Sequence, residues 1–209
     1  MYVTLRRYAE VGARMYEIVA RRAEEGLLPT LKAQPGFRCY CAFVSADGHG
    51  VSMTVFDGHA QAARANEQVR GWGRANLHDL LPDRPEVFAG ECGVAEVSPE
   101  WRASRGERPP IVAVREFADP GPAEKTREIM QRHALPIIAG SPGFRAVYIF
   151  GNEREPSRGA SVTFFDTREN GRRAYERTAT TFRERAVGMA PSPPRRAVSG
   201  RAIVFATAD

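Results

Sequence analysis

The sequence predicts an α+β fold made of two tandem copies of one unit of roughly 100 residues. Two short motifs recur in the second half of the chain at a nearly constant spacing, and both halves show the same succession of strand-like and helix-like segments. Of the 209 residues, 43% are hydrophobic and 26% are charged, so the chain contains enough apolar sequence to form a core.

Two motifs define the repeat. The first, a Leu-Pro pair followed by Pro-Gly-Phe-Arg, occupies residues 28–38 and recurs at 135–145. The second, Ser-x-Thr-x-Phe-Asp, occupies residues 52–57 and recurs at 161–166. The first motif returns after 107 residues and the second after 109, so the second copy carries two extra residues, which we place in the polar loop 151–159.

Each copy predicts the element order β-α-β-β-α-β, which is the ferredoxin-like unit. Pro29 and Pro136 fall late in the first helix of their copies, where proline is expected to kink or break a helix. Asp57 and Asp166 are expected to cap the second helix, and Glu169 follows Asp166 at the spacing of a capping box. In the first copy we expect strands at 3–8, 38–44, 51–56 and 87–97, and the first helix at 12–33.

The expected boundaries are residues 1–97 for the first ferredoxin-like unit, 98–110 for a linker and 111–209 for the second unit. The linker is rich in charged residues, Ser, Gly and Pro. A unit of this kind carries its helices on one face of the sheet and leaves the other face apolar. We therefore expect the two open faces to pack together as one intramolecular barrel.

Composition argues against several classes of function. The net charge is +5, but the arginines are dispersed instead of forming a basic stripe, so we expect no nucleic-acid partner. No apolar run approaches the length of a membrane span, so we expect no membrane association and take a cytoplasmic location as the default. Cys39, Cys41 and Cys92 are odd in number and are interpreted as reduced thiols. No cluster of residues has metal-ligand spacing, so no metal site is expected.

The repeated unit resembles the antibiotic biosynthesis monooxygenase domain, which belongs to the dimeric α+β barrel superfamily. The resemblance is carried by the 28–38 and 52–57 motifs with their second copies, and it covers nearly the whole chain outside the linker. It implies a fold in which two such units form an α+β barrel, with a small-molecule pocket between the sheet and the helices of each unit. Relatives include cofactor-free monooxygenases, haem-degrading enzymes and proteins without known activity, so the fold alone does not fix the function.

The second helix of each copy supplies the candidate pocket residues. In the first copy, Asn66 and Val69 lie on the apolar face of this helix, and Trp72 lies at its edge. At the 109-residue offset, the second copy has Tyr175, Thr178 and Thr181 in these three positions. The two pockets are therefore expected to differ, with Val69, Tyr175, Thr178 and Thr181 contacting substrate.

Asn66, Trp72 and His78 are the predicted catalytic residues. An amide and an indole can donate hydrogen bonds to a substrate carbonyl or a developing oxyanion, and His78 can serve as a general base. This set would suffice for oxygenation without a cofactor, because a deprotonated phenol-like or anthrone-like substrate reacts with oxygen itself. The resemblance implies similar residue types in the family's oxygenases. Arg6 and Arg115, which occupy matched positions, are interpreted as structural.

The prediction is a cofactor-independent monooxygenase for a small aromatic or polyketide-like substrate, with no bound cofactor. A small hydrophobic or aromatic molecule is the expected partner, and a homodimer is left open. One alternative is a non-catalytic protein that binds a small ligand or acts in stress. A haem-binding or haem-degrading protein is the other, although the six-residue spacing from Trp72 to His78 departs from the haem-degrading pattern.

Overall fold

The computed structural model describes residues 1–9, 11–81, 84–103, 109–119, 122–185 and 193–208. The strands are β1 Tyr2–Tyr8, β2 Phe37–Val44, β3 Gly50–Phe56, β4 Glu86–Val97, β5 Ile111–Ala118, β6 Phe144–Gly151, β7 Arg158–Phe165 and β8 Arg196–Thr207. The α-helices are α1 Ala13–Arg22, α2 Leu28–Lys32, α3 His59–Asn76, α4 Pro99–Ala103, α5 Ala123–Ile129, α6 Leu135–Ala139 and α7 Arg168–Arg185. The predicted α+β class is confirmed.

The strands hydrogen-bond in the order β1-β3-β2-β8-β5-β7-β6-β4, which is the closed strand order of an eight-stranded antiparallel barrel. The chain packs as two compact units. Residues 1–91 with 200–209 form unit 1, and residues 92–199 form unit 2. The boundaries between these units fall within β4 and within β8. The predicted copies, 1–97 and 111–209, instead follow the repeat along the sequence. The predicted boundaries therefore stay predictions.

The two units show the same strand register at matched positions. Thr4 of β1 lies opposite Thr54 of β3, and Ala113 of β5 lies opposite Thr163 of β7. The register between the second and third strands of each unit shifts once, just after Phe37 in unit 1 and just after Phe144 in unit 2.

The Pro-Gly-Phe turn explains why glycine recurs in the first motif. Gly36 and Gly143 have φ angles of 77° and 71°, in the left-handed region that glycine adopts at low cost. The carbonyl of Gly36 accepts a hydrogen bond from the Asp57 amide at 2.8 Å, and that of Gly143 accepts one from the Asp166 amide at 2.9 Å. The turn thus joins the start of the second strand to the end of the third.

Proline affects the first helix of each unit in a specific way. The helix does not end near Pro29; α1 widens into a π-helical turn, Ala23–Leu27, and α2 follows with Pro29 in its first turn. The Leu28 amide donates to the Ala23 carbonyl, five residues back. In unit 2 a π-helical turn, Met130–Ala134, precedes α6 in the same way. The wider turn lets the helix continue past a residue that lacks an amide donor.

The predicted aspartate caps are wrong. In unit 1 the N-cap of α3 is Gly58, and Asp57 instead accepts a hydrogen bond from Arg38 Nε at 2.6 Å. In unit 2 the Thr167 hydroxyl accepts a hydrogen bond from the Asn170 amide at 3.2 Å, as a helix cap does. The helix therefore begins one residue later than the capping-box interpretation requires.

The predicted linker 98–110 is partly helical. Helix α4 occupies Pro99–Ala103, and Trp101 is buried with its ring centroid 5.6 Å from that of Phe164 in the same unit. The rest of the linker up to residue 108 lies outside the described residues. Composition alone predicted a loop here because the contact between Trp101 and Phe164 depends on the tertiary structure.

The three cysteines agree with their interpretation as free thiols. Cys39 and Cys41 are buried on β2, and Cys92 is half-buried on β4. Burial raises the pKa of all three thiols, which keeps them protonated and weakly nucleophilic.

Candidate functional site

The candidate site lies between the sheet and the helices of unit 1. Alternation along β1 places Thr4, Arg6 and Tyr8 on one face and Val3 and Leu5 on the other. The first face packs against α1 and α3, in a core that joins Tyr2, Tyr40 and Phe56 of the strands to Tyr16, Ala62 and Ala65 of the helices. The predicted inward face of α3 is confirmed, since Ala62 and Ala65 are buried.

Asn66 is part of a polar cluster in this core. Its amide oxygen accepts a short hydrogen bond from Arg6 Nη2, and its Nδ2 donates to the Thr4 hydroxyl at 3.3 Å. Arg6 is only 4% exposed, whereas Asn66 is half-buried on α3. Because Asn66 has a second N–H, the cluster still offers a donor after both of these bonds are made.

Arg6 is a buried cation without a carboxylate partner among the described residues. The ionisable groups near enough to influence its pKa are Tyr8, Tyr40 and Tyr16, and Arg70, a second cation. Burial lowers the pKa of the Arg6 guanidinium because desolvation disfavours the charged form. Within the described part of the chain, Arg6 Nη1 is buried and has no hydrogen-bond partner. An unpaired buried charge of this kind is costly and needs an explanation.

Three tyrosines lie near enough to Arg6 to influence its pKa. Tyr40 lies on β2 opposite Thr54, and Thr54 has a buried hydroxyl without a partner in the described structure. Tyr16 is 2% exposed on α1, and Tyr8 is half-buried at the end of β1. Burial raises the pKa of all three tyrosines, so they are neutral hydroxyls at physiological pH. Apart from the cation Arg70, the groups that influence Arg6 are thus neutral hydroxyls.

Trp72 packs against the π-helical turn. A methyl group at position 26 would lie 2.9 Å from Cζ2 and 3.1 Å from Nε1 of the indole. Glycine at this position therefore lets the ring lie directly on the helix backbone. Trp72 and Val69 are both half-buried and pack against the unit 1 core, as predicted.

We predict that Gly26→Ala displaces the Trp72 indole, because the added methyl group occupies space now held by the ring. In a Trp101→Phe background, which leaves Trp72 as the only tryptophan, the fluorescence emission maximum is expected to shift to longer wavelength. Gly71→Ala is the control, since a methyl group there would meet no atom within 4 Å. Identical emission from the Gly26→Ala and Gly71→Ala variants would show that the indole does not depend on this contact.

His78 is not placed in the buried cluster. It is exposed in the turn that follows α3. His59 and His133 are also exposed, and the half-buried His49 lies 3.3 Å from Asp47. A base at position 78 would work in solvent, so this geometry does not support the role predicted for His78.

Unit 2 fills the matched position differently. The Arg115 guanidinium lies 4.2 Å from the centroid of the Tyr175 ring, and its Nη1 donates to the Thr163 hydroxyl at 3.4 Å. Tyr175 thus covers the arginine that corresponds to Arg6. Thr178 is half-buried and donates to the Ala174 carbonyl at 2.7 Å, and Thr181 is half-buried on the same helix.

The hydroxyl groups around Arg6 have few counterparts in unit 2. At the repeat offsets, Phe117 stands in the position of Tyr8, and Val147 in that of Tyr40. Val147 lies opposite Thr163 on the neighbouring strand, just as Tyr40 lies opposite Thr54. The polar cluster is therefore a property of unit 1.

Arg6 is a candidate site residue that sequence reasoning does not identify. The matched Arg115 favours a structural interpretation instead. The signal that could have identified it is its place on an alternating strand, between Thr4 and Tyr8 on the face that packs on the helices. A charged residue on a core-facing strand position is unusual enough to suggest a function.

Among the described residues, no helix combines the length and apolar character needed to cross a membrane. In the same part of the chain, no group of three or more His, Cys, Asp or Glu side chains is arranged to hold a metal ion.

Comparisons with known proteins show the fold. The chain is similar in structure to a protein from Lactobacillus acidophilus provisionally named a monooxygenase, with a TM-score of 0.74, 11% identity, and coverage of 99% of this chain and 96% of that one. An anthrone oxidase-like protein matches with a TM-score of 0.56, 13% identity, and coverage of 99% and 93%. A novel heme-binding protein from Thermus thermophilus matches with a TM-score of 0.59, 12% identity, and coverage of 96% and 90%.

No protein-family model matches the chain, and no curated protein matches its sequence. At identities this low, the similarity concerns the fold alone, and a shared fold does not carry a shared reaction.

Proposed function

We propose that the protein is a cofactor-independent monooxygenase that acts on a small aromatic or polyketide-like substrate in unit 1. The observation that carries the proposal is the hydrogen-bonded cluster of Arg6, Asn66 and Thr4 between β1 and α3, in a unit whose core also packs against Trp72. Hydrogen-bond donors held in a water-poor setting stabilise an oxyanion better than water does, because they need no reorganisation during the reaction. An anthrone oxidase-like protein has a similar fold, so anthrones are the first substrates to test.

In the proposed reaction, a C–H acid such as an anthrone loses a proton to water and becomes an enolate. The free N–H of Asn66 and the indole N–H of Trp72 donate to the enolate oxygen and lower the energy of this anion. The carbanion carbon then reacts with molecular oxygen to form a C–O bond, and the resulting peroxide anion takes back a proton from water to give a hydroperoxide. Loss of the second C–H proton with hydroxide, as water, leaves a quinone carbonyl, so one O₂ is consumed for each water released.

We predict that Asn66→Ala lowers kcat/KM for oxidation of 1,8-dihydroxyanthrone by roughly 10²- to 10³-fold, the loss typical of a missing oxyanion donor. The measurement is oxygen uptake together with quinone absorbance under air. Gln68→Ala is the control, because Gln68 is an exposed amide on the same helix. Equal rates for the two variants would remove Asn66 from the mechanism, and no turnover by the native protein would overturn the proposed function.

Haem binding is a weaker alternative. A haem-binding protein shares the fold, but none of the four histidines is buried, so the core of unit 1 offers no histidine as an axial ligand. Titration with haem, monitored by the Soret band, runs alongside the anthrone assay. A Soret band without quinone formation would favour this alternative.

We also propose that the two units are tandem ferredoxin-like copies of one ancestral domain that form an intramolecular dimeric α+β barrel. The matched registers and bulges, and the π-helical turns before Pro29 and Pro136, support this proposal. Divergence of a duplicated domain would explain why one unit keeps an open polar cluster while Tyr175 covers the arginine of the other.

A further inference from the structure

The guanidinium of Arg6 makes too few contacts for a purely structural arginine. Its Nη2 donates to Asn66 Oδ1, while Nη1 is buried and unpartnered in the described structure. A guanidinium has five N–H donors and suits a planar, two-oxygen acceptor. The acceptor that unit 1 itself supplies is a single neutral amide.

The surroundings of Arg6 also favour a negative charge. Arg70 adds a second positive charge, and no carboxylate is among the groups whose charges act on Arg6. The nearby phenols are neutral. Besides Arg6 Nη1, the buried hydroxyl of Thr54 has no hydrogen-bond partner in the described part of the chain. Tyr8 and Asn66 are half-buried, so solvent reaches part of the cluster.

We propose that Arg6 binds the negatively charged group of an aromatic ligand, a carboxylate or an ionised phenol, and that each chain binds one such ligand, in unit 1. The charged group pairs with Arg6, and the ring lies among the apolar and phenolic side chains of the unit 1 core. This inference deepens the proposed function, because it names the substrate class of the same site. A neutral aromatic compound of the same shape leaves the guanidinium unpaired and binds less well.

Unit 2 supplies an internal comparison for this site. Arg115 stacks on Tyr175 and donates to Thr163, so its guanidinium already has partners on its face and at Nη1. Phe117 and Val147 replace two of the phenols. One anion site per chain follows from this difference.

The test is calorimetric titration of the full chain with 2-naphthoate and with its methyl ester, which has a similar shape but no charge. We expect one naphthoate per chain and weaker binding of the ester. Arg6→Gln is expected to weaken naphthoate binding by about 10- to 100-fold, the value of a hydrogen bond to a charged group, and to leave ester binding unchanged. Arg6→Lys, which keeps the charge but lacks the planar set of donors, is expected to restore only part of the affinity.

Arg115→Gln is the matched control and is expected to bind naphthoate like the native chain. Equal affinity for naphthoate and ester in the native chain, or an equal loss in the Arg6→Gln and Arg115→Gln variants, would overturn the anion site. The comparison of naphthoate with its ester uses only the native chain, so it tests the anion site even where Arg6→Gln does not fold. Arg6-dependent naphthoate binding without anthrone oxidation would leave the anion site standing and defeat the monooxygenase proposal. Anthrone oxidation at the native rate by Arg6→Gln would leave the monooxygenase proposal standing and defeat the anion site.

Discussion

Replacing Arg6 with methionine is expected to make the protein more stable and inactive. Arg6 is 4% exposed, has a neutral hydrogen-bond partner in Asn66, and has one buried nitrogen without a partner in the described structure. Apolar replacement of buried ionic groups stabilises proteins by about 1–4 kcal/mol in favourable cases. The half-buried Asn66 loses a donor, but water can reach it, so we expect a net gain of about 1 kcal/mol in the free energy of unfolding.

Activity is expected to change in the opposite direction. Without the guanidinium, Asn66 loses the group that fixes its amide, and a substrate anion loses its counter-charge. We expect oxidation of 1,8-dihydroxyanthrone to fall by about 10²-fold or more. Stability is measured by urea unfolding and activity by oxygen uptake on the same preparation. Such a trade-off is typical of functional sites, where groups are kept despite their cost to folding.

The matched substitution in unit 2 separates this explanation from a general effect of removing arginine. Arg115 is less deeply buried and stacks on Tyr175, so Arg115→Met loses a cation–π contact worth about 0.5–2 kcal/mol. We therefore expect Arg115→Met to destabilise the chain. If Arg6→Met instead destabilised it by more than about 2 kcal/mol, the guanidinium would be part of the structural core and the site would lose its main support.

The sequence predicted the α+β class well because its strongest signals are backbone signals. The Pro-Gly-Phe turn requires a left-handed glycine, and Gly36 and Gly143 adopt that conformation. Alternation of polar and apolar residues located β1, and helical spacing located the buried face of α3. These patterns depend on local geometry, so they can be recognised without knowledge of what packs against them.

Errors arose where a tertiary contact competes with a local preference. Asp57 has the residue type of a helix cap, but the Arg38 side chain on the neighbouring strand binds it instead. Asp166 precedes Thr167, which is an equally good cap and lies one residue closer to the helix. Local rules give the candidates for a cap, and the surrounding contacts decide among them.

Only part of the candidate site could be proposed from the sequence. Asn66 and Trp72 can be chosen as candidates from the sequence because they lie on or beside a helix face that has to be buried. Arg6 was missed because its partner, Asn66, is 60 residues away in the sequence, and no single-sequence pattern connects a strand to a helix at that distance. His78 follows the helix closely in sequence, but the turn after α3 leaves it in solvent.

Gly50→Ala is expected to destabilise unit 1 strongly. Gly50 begins β3 and lies opposite Tyr8 of β1 and Val44 of β2. The Tyr16 ring packs directly onto it, and an added methyl group would overlap the ring edge. Tyr16 is 2% exposed, so a displaced ring would lose packing in the core. Overpacking of this kind costs about 1–3 kcal/mol, and we expect Gly50→Ala to fall near the upper end.

A double-mutant cycle in urea unfolding tests the cause. Tyr16→Ala alone is expected to cost about 3–5 kcal/mol, because it leaves a large cavity. The Gly50→Ala/Tyr16→Ala variant is expected to cost less than the sum of the single changes by about 1–3 kcal/mol, since the methyl group then enters space that the ring has vacated. Gly151→Ala is the control, because a methyl group at that strand end would meet no atom within 4 Å. Strict additivity would show that Gly50 is required for some reason other than Tyr16.

Because Tyr16 is also one of the phenols near Arg6, a ring displaced by Gly50→Ala should weaken naphthoate binding, which would link the packing of this glycine to the anion site.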